Sequence, residues 1–275
     1  MNTLPATVNE HPCLFEAASR QQFVRLHLPV SSACNIKCRY CDRKYNCANE
    51  SRPGVTSKIL TPHEALRLVK EVSSKNPKLR VIGFAGPGDP LADDLALDTL
   101  KLIHDQYPYY VKCLSTNGLL LPQYAYQLRA AGVKVITVTV NAVDAPVGEK
   151  IYKSINWLGT NLGGRTGAAI LWEQQSKGIE MAASLGLYVK INSVLIPGIN
   201  HHHLNKVAST VSDLGASKMN IIPLHPLAEF STIRRPSQDE TASLRQACSK
   251  YIAQMKWCQS CRADAMGSVC GFKEF

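Results

Sequence analysis

No apolar run in the 275-residue chain approaches the roughly 20 residues needed to cross a bilayer, so the sequence offers no membrane span. The first residues, Met1 to His11, are polar and lack the basic-then-apolar layout of a secretory leader. Internal repeats and low-complexity tracts are missing too. Thirty-one Lys and Arg against twenty-one Asp and Glu give a net charge of +10, yet no basic run or stripe forms. That scatter argues against nucleic acid and leaves a basic surface or cavity suited to anionic ligands or acidic partners. With 45% apolar residues the chain can build one sizeable core. A soluble, cytoplasmic protein is the expectation.

What the chain has in excess is cysteine. Ten are present: Cys13, a tight group from Cys34 to Cys47, isolated Cys113 and Cys248, and a tail group of Cys258, Cys261 and Cys270. In a reducing compartment, clustered cysteines point to metal binding or catalysis rather than to structural disulfides.

Short β-branched runs alternate with longer amphipathic stretches. Candidate strands are Phe23–Val30, Leu79–Ala85, Tyr110–Ser115, Lys134–Asn141, Tyr188–Leu195 and Lys218–Ile222. Between them run helical patterns over Pro62–Ser73, Leu95–Gln106, Gln123–Ala131, Gly167–Leu185, His201–Leu214 and Ser237–Gln254. Such alternation predicts an α/β fold with a parallel sheet, and six units are too few to close an eight-fold barrel. The expectation is a partial (β/α)6 TIM-like barrel over 23–235. An N-terminal extension with His11-Pro12-Cys13 covers 1–22, and a C-terminal helix and cysteine-bearing tail cover 236–275.

Chemistry on such barrels sits beyond the strand C-termini. The unusual residues of this chain fall there: the Cys34–Cys47 segment, Gly86-Pro87-Gly88-Asp89-Pro90, Thr116-Asn117-Gly118, Asn141, Ile196-Pro197-Gly198 and Leu224-His225-Pro226.

Residues 34–41 read Cys-Asn-Ile-Lys-Cys-Arg-Tyr-Cys, a C-x3-C-x2-C spacing. Three thiolates on one loop can each reach a different iron of a [4Fe–4S] cube, which leaves the fourth iron open. Zinc would want four ligands in a tetrahedron, usually from two paired C-x2-C units, and fits this spacing poorly. The motif resembles that of the radical S-adenosylmethionine (SAM) superfamily, with Tyr40 at its usual aromatic place. The resemblance implies a barrel of the radical SAM type and an enzyme with a [4Fe–4S] cluster on Cys34, Cys38 and Cys41. SAM would bind the open iron and be cleaved to a 5′-deoxyadenosyl radical. Gly86 and Gly88 would lie against the SAM amino group, where glycine permits close backbone approach. With Tyr40, Asp89, Thr116, Asn117, Thr139, Asn141 and Ile196 they make up the expected cofactor-binding set. Gly-Pro-Gly-Asp is also a good turn sequence in its own right.

Three cysteines suffice for that chemistry, so the others need an account. The tail pair Cys258-x2-Cys261 with Cys270 could ligate a further cluster, a small zinc knot or a redox pair. Several separated motifs resemble the NifB family of nitrogenase-cofactor biosynthesis proteins. They are His11-Pro12-Cys13, the cluster loop, Glu50-Ser51-Arg52-Pro53-Gly54, Ala85–Leu91, Ser115–Gly118, Val138–Asn141 and Cys258-x2-Cys261-Arg262-Ala263-Asp264-Ala265. The sequence ends soon after Cys270, so the expectation is that the carrier-type C-terminal domain of some family members is absent.

The resemblance implies a lyase-type activity in which two [4Fe–4S] substrates, K1 and K2, are fused. One SAM donates a methyl group that becomes a carbide, a second supplies the radical, and a sulfide is added to give the [8Fe–9S–C] precursor. It makes Cys13, His27, Cys113, Cys258, Cys261 and Cys270 candidate ligands for the substrate clusters, and Cys113, Glu50 and Arg52 candidate catalytic residues. It implies a scaffold donating clusters, an electron donor and an acceptor of the finished precursor. Out of context His27 reads as a core histidine, Cys248 as a small buried hydrophobe, and His201-His202-His203 as a solvated group at a helix start. Cys47 is either a ligand or a bystander. Glu50 and Arg52 suit proton transfer, iron ligation or anion binding. Two rivals stand beside this reading: a radical SAM enzyme with auxiliary clusters acting on a peptide, RNA or small molecule, and a non-enzymatic cluster carrier.

Overall fold

A computed structural model describes residues 8–14, 22–47, 54–56, 58–255, 264–268 and 271–274. The six expected strands form as β1 (Val24–His27), β3 (Leu79–Phe84), β4 (Val111–Thr116), β5 (Val133–Thr139), β8 (Tyr188–Leu195) and β9 (Lys218–Pro223). They pair in parallel in the order β1-β3-β4-β5-β8-β9. The sheet is an open, curled partial barrel, the architecture the alternation predicts. Helices α1 (Pro62–Lys75), α2 (Leu95–Gln106), α3 (Leu121–Ala130), α5 (Gly164–Ser184), α6 (Leu204–Asp213) and α7 (Gln238–Cys248) connect or follow these strands. Local chemistry fixes two helix starts: Thr61 with Glu64, and Ser237 with Glu240, form reciprocal capping boxes.

Alternate residues along each strand face opposite sides of the sheet. Leu26, Ile82, Leu114, Ile136 and Ile191 join the helices in the main core. Val81, Val111 and Val135 instead close on Leu14 inside the barrel. The N-terminal segment therefore stoppers the floor of the barrel. Glu10 pairs with Arg80 at 3.5 Å, and the Lys218 ammonium donates to the Leu14 carbonyl.

Three features depart from the simple alternation. A small antiparallel sheet joins β2 (Ile36–Cys38), β6 (Tyr152–Trp157) and β7 (Thr160–Leu162), with a short helix α4 (Ala145–Ile151) before β6. The polar alternation of Tyr152–Trp157, followed by the Leu158-Gly159 turn, carries a strand signal weaker than that of the apolar runs. At the other edge, β10 (Ala265–Ser268) lies antiparallel on β1 and pairs with β11 (Gly271–Glu274), so part of the tail extends the main sheet. The region between Val143 and Gly163 thus carries structure where the sequence suggested a connection.

Candidate active site

The cysteine loop leaves β1 and is clamped from two sides. β2 pairs Cys38 with Tyr152 and Lys37 with Ser154. From the other side, Gly88 N–H donates to Ser31 O at 2.9 Å, Asp89 N–H to Ala33 O at 2.7 Å, and Cys47 N–H to Pro87 O at 3.1 Å. A Cβ on Gly88 would lie 2.0 Å from Ala33 O and 2.7 Å from Ser32 C. Only glycine fits that contact. Gly86, at φ +126°, makes the turn in the left-handed half of backbone space where glycine is at ease.

Cys34, Cys38 and Cys41 line one cavity at the strand C-termini with Tyr40, Gly88, Asp89, Thr116, Asn117 and Thr139. Gly86, Asn141 and Ile196 do not line it. Asn141 stands behind it: its side-chain amide donates to the Tyr40 hydroxyl at 2.8 Å and its carbonyl oxygen accepts from Val194 N–H at 2.8 Å. Ile196 N–H donates to Asn200 Oδ1 at 2.8 Å. The Asp89 carboxylate is spent on bracing, accepting from Thr116 Oγ1, Asn117 N–H and Leu91 N–H. Burial raises its pKa and those hydrogen bonds oppose the rise.

Burial and the neighbouring Asp89 charge push the Cys34 thiol up to about 11. Cys38 is raised by burial and then by Cys41 and Cys34. Among the described residues, no three Cys, His, Asp or Glu side chains converge tightly enough to hold a single metal ion. Three thiols lining one cavity make a donor set that a [4Fe–4S] cube can use, one iron to each, whereas zinc usually takes four ligands.

A second group lies inside the barrel. The register places His27, Gly83 and Cys113 side by side on β1, β3 and β4. A Cβ on Gly83 would fall 2.5 Å from His27 Cδ2 and 3.2 Å from Cys113 Sγ, so imidazole and thiol flank the bare glycine. Cys13 is buried in the floor segment, its N–H donating to His11 Nδ1 at 3.2 Å, and the Arg25 guanidinium donates to its sulfur. Glu50, Arg52, Cys258, Cys261 and Cys270 lie outside the described residues.

Cys47 lines the cavity with the three motif thiols, and Cys248 is buried in α7. The histidine run departs from its solvated reading at one position. His203 has a side chain only 10% exposed; its Nε2 accepts from Val143 N–H at 3.0 Å, and its Nδ1 lies 3.7 Å from Asp144. It ties the loop after β5 to the start of α6. Sequence reasoning also missed Gln175, whose amide donates to both Asn117 O and Thr139 O from inside α5. A glutamine among the small and apolar residues of α5 that face the barrel was the available signal.

The radical SAM superfamily pattern matches residues 28–211, from the end of β1 into α6. The chain belongs to the radical SAM superfamily. Membership makes it a SAM-dependent enzyme of the class that uses a [4Fe–4S] cluster together with SAM. The chain is 44% identical to the FeMo cofactor biosynthesis protein NifB of Azotobacter vinelandii over 271 residues, covering 96% of this chain and 54% of that protein. It is likewise 44% identical to NifB of Herbaspirillum seropedicae, covering 94% of this chain and 51% of that protein. The chain therefore spans about half the length of these curated relatives. Among solved structures, Streptococcus suis SuiB superposes with TM-score 0.62 at 12% identity, over 85% of this chain and 49% of SuiB. A radical SAM methyltransferase from Sphaerobacter thermophilus superposes with TM-score 0.54 at 18% identity, over 84% and 64% respectively. At those identities the likeness concerns the fold.

Proposed function

We propose that the chain fuses two [4Fe–4S] substrates, with insertion of a SAM-derived carbide and a sulfide, into the [8Fe–9S–C] precursor of the nitrogenase cofactor. The observation that carries this reading is the placing of His27 and Cys113 on either side of the bare Gly83 on the inner face of the sheet, with Cys13 buried in the segment that packs into the barrel floor. The similarity to proteins named for FeMo cofactor biosynthesis, along nearly the whole chain, supports it.

Cys34, Cys38 and Cys41 would hold the SAM cluster; with SAM bound, that pair supplies the methyl group and the adenosyl radical. Gly86 makes the turn and Gly88 lets it close on the cysteine loop, and Thr116, Asn117 and Thr139 wall the cavity where SAM would bind. Tyr40, anchored by Asn141, holds the loop between Cys38 and Cys41. Cys13, His27 and Cys113, with Cys258, Cys261 and Cys270 from the tail, would hold the substrate clusters K1 and K2. Cys113, Glu50 and Arg52 are the candidate catalytic groups. In this reading residues 1–22 and 236–275 are substrate-holding extensions of a catalytic barrel over 23–235. The partners would be a cluster-donating scaffold, an electron donor and an acceptor of the product, all in the cytoplasm. Among the described residues no helix is long and apolar enough to cross a membrane.

Anaerobic iron and sulfide analysis, with electron paramagnetic resonance before and after SAM, tests the proposal. Three cubes, about twelve irons per chain by the [4Fe–4S] count, with reduced-cluster signals that vanish as SAM is consumed, are expected. One cube, or signals unchanged by turnover, would leave a radical SAM enzyme without cluster fusion.

A further inference from the structure

Two of the walls of the SAM cavity are strand ends that their mutual ladder no longer joins. The last residues paired between β4 and β5 are Thr116 and Val138. Asn117 and Thr139, the next along each chain, both line the cavity. A backbone carbonyl released from a ladder and shut away from water has to find another donor. Here both find the same one. The Gln175 side-chain amide reaches in from α5 and donates to Asn117 O at 2.7 Å and to Thr139 O at 2.8 Å.

Gln175 is 1% exposed and sits on the buried face of α5, one turn from Leu171 and one from Ile179. An amide nitrogen has two donors, and here both are spent across the gap between the strands. Gly118 makes room for them. It turns the chain at φ +85°, and a Cβ there would lie 3.0 Å from Gln175 Cγ and 2.7 Å from Val138 Cγ1. The tie continues to the cysteine loop, because the Asn117 side-chain amide donates to Asn35 Oδ1 at 2.6 Å. Asn35 follows Cys34 directly, so the place of Asn117 is felt where the first cluster thiol is held. Gln175 itself does not line the cavity.

We propose that Gln175 is a positioning residue for SAM binding. From α5 it fixes the width of the cavity between Asn117 and Thr139 and, through Asn117 and Asn35, steadies the Cys34 end of the loop. The inference rests on the SAM dependence of the superfamily and not on cluster fusion.

The test compares Gln175→Met, which keeps the length of the side chain and loses its donors, with Ile179→Ala, which loosens the same face of α5 one turn away. SAM affinity is measured by isothermal titration of the cluster-loaded, unreduced chain, in which SAM binds without being cleaved. Cleavage kinetics under reductant and hydrogen exchange of residues 34–38 and 115–119 complete the readouts. Gln175→Met should weaken SAM binding by about tenfold, on the scale of one lost hydrogen bond. KM for SAM should rise by the same factor while kcat holds, the mark of lost binding, and both segments should exchange faster. Ile179→Ala should lose thermal stability and keep its SAM affinity. Unchanged affinity in Gln175→Met overturns the proposal. An equal loss in Ile179→Ala overturns it too, because loosening the helix would then be enough. If Gln175→Met does not fold, Gln175→Asn decides, since its amide is one methylene too short to span both carbonyls; unaltered affinity and exchange in that variant overturn the proposal equally.

Discussion

Replacing Gly88 by alanine would strike the contact that holds the cysteine loop in place. The added carbon would stand 2.0 Å from Ala33 O and 2.7 Å from Ser32 C and O, all of them backbone atoms that no rotamer change can move away. Close carbon–oxygen contacts settle near 3.3–3.6 Å, so the two loops must part by about 1.3 Å. Gly88 has no left-handed φ, so the effect is one of space alone. Overpacking of this kind costs about 1–3 kcal/mol. The parting would also stretch the Gly88 N–H to Ser31 O and Asp89 N–H to Ala33 O bonds, each worth about 1 kcal/mol. Cys34 follows Ala33 directly, so its sulfur moves with the loop. A shift of about 1 Å in a positioned group typically costs about 100-fold in rate. Gly88→Ala should therefore lose SAM cleavage by about two orders of magnitude and unfold earlier, measured as 5′-deoxyadenosine release under a chemical reductant and by thermal denaturation. Gly163→Ala, whose new carbon would meet only Lys153 O at 3.4 Å, serves as the tolerated control. A Gly88→Ala enzyme with full iron and unimpaired cleavage would refute the argument.

Two further outcomes follow from the same structure. Asn141→Ala leaves the buried Val194 N–H without its partner and takes one hydrogen bond from the Tyr40 hydroxyl, which should cost about 1–3 kcal/mol in denaturant unfolding; a loss under about 0.5 kcal/mol would show that the network is not needed. Lys112 is fully enclosed and donates to the Tyr107 and Tyr110 carbonyls, and burial lowers its pKa from 10.5 to about 8. Between pH 8 and 10.5 the unfolded chain would hold that proton and the folded chain would not, so folding stability should rise with pH across this window. Comparison with Lys112→Met, which lacks the group, isolates the slope; parallel profiles for the two proteins would sink the prediction.

Much of the molecule was written locally. The β-branched runs and amphipathic stretches specified six parallel strands and their helices, because periodicities of 2 and 3.6 decide which face is apolar before any partner is met. The C-x3-C-x2-C spacing likewise specified three thiols on one loop at the end of β1. What the chain could not announce was where separate segments meet. The β2–β6 pairing that anchors Cys38 joins residues more than a hundred positions apart, and short polar strands carry little signal of their own. The same holds for Asn141 beneath Tyr40, His203 against Val143, and Gln175 bridging the ends of β4 and β5. Gly83 reads as an ordinary strand glycine until the register sets it between His27 and Cys113. Arg25 reads as a surface charge until the curl of the sheet turns it inward beside Cys13. Sequence determined which chemistry was available; only the tertiary fold decided which groups face one another, because those contacts depend on the register and curvature of the whole sheet.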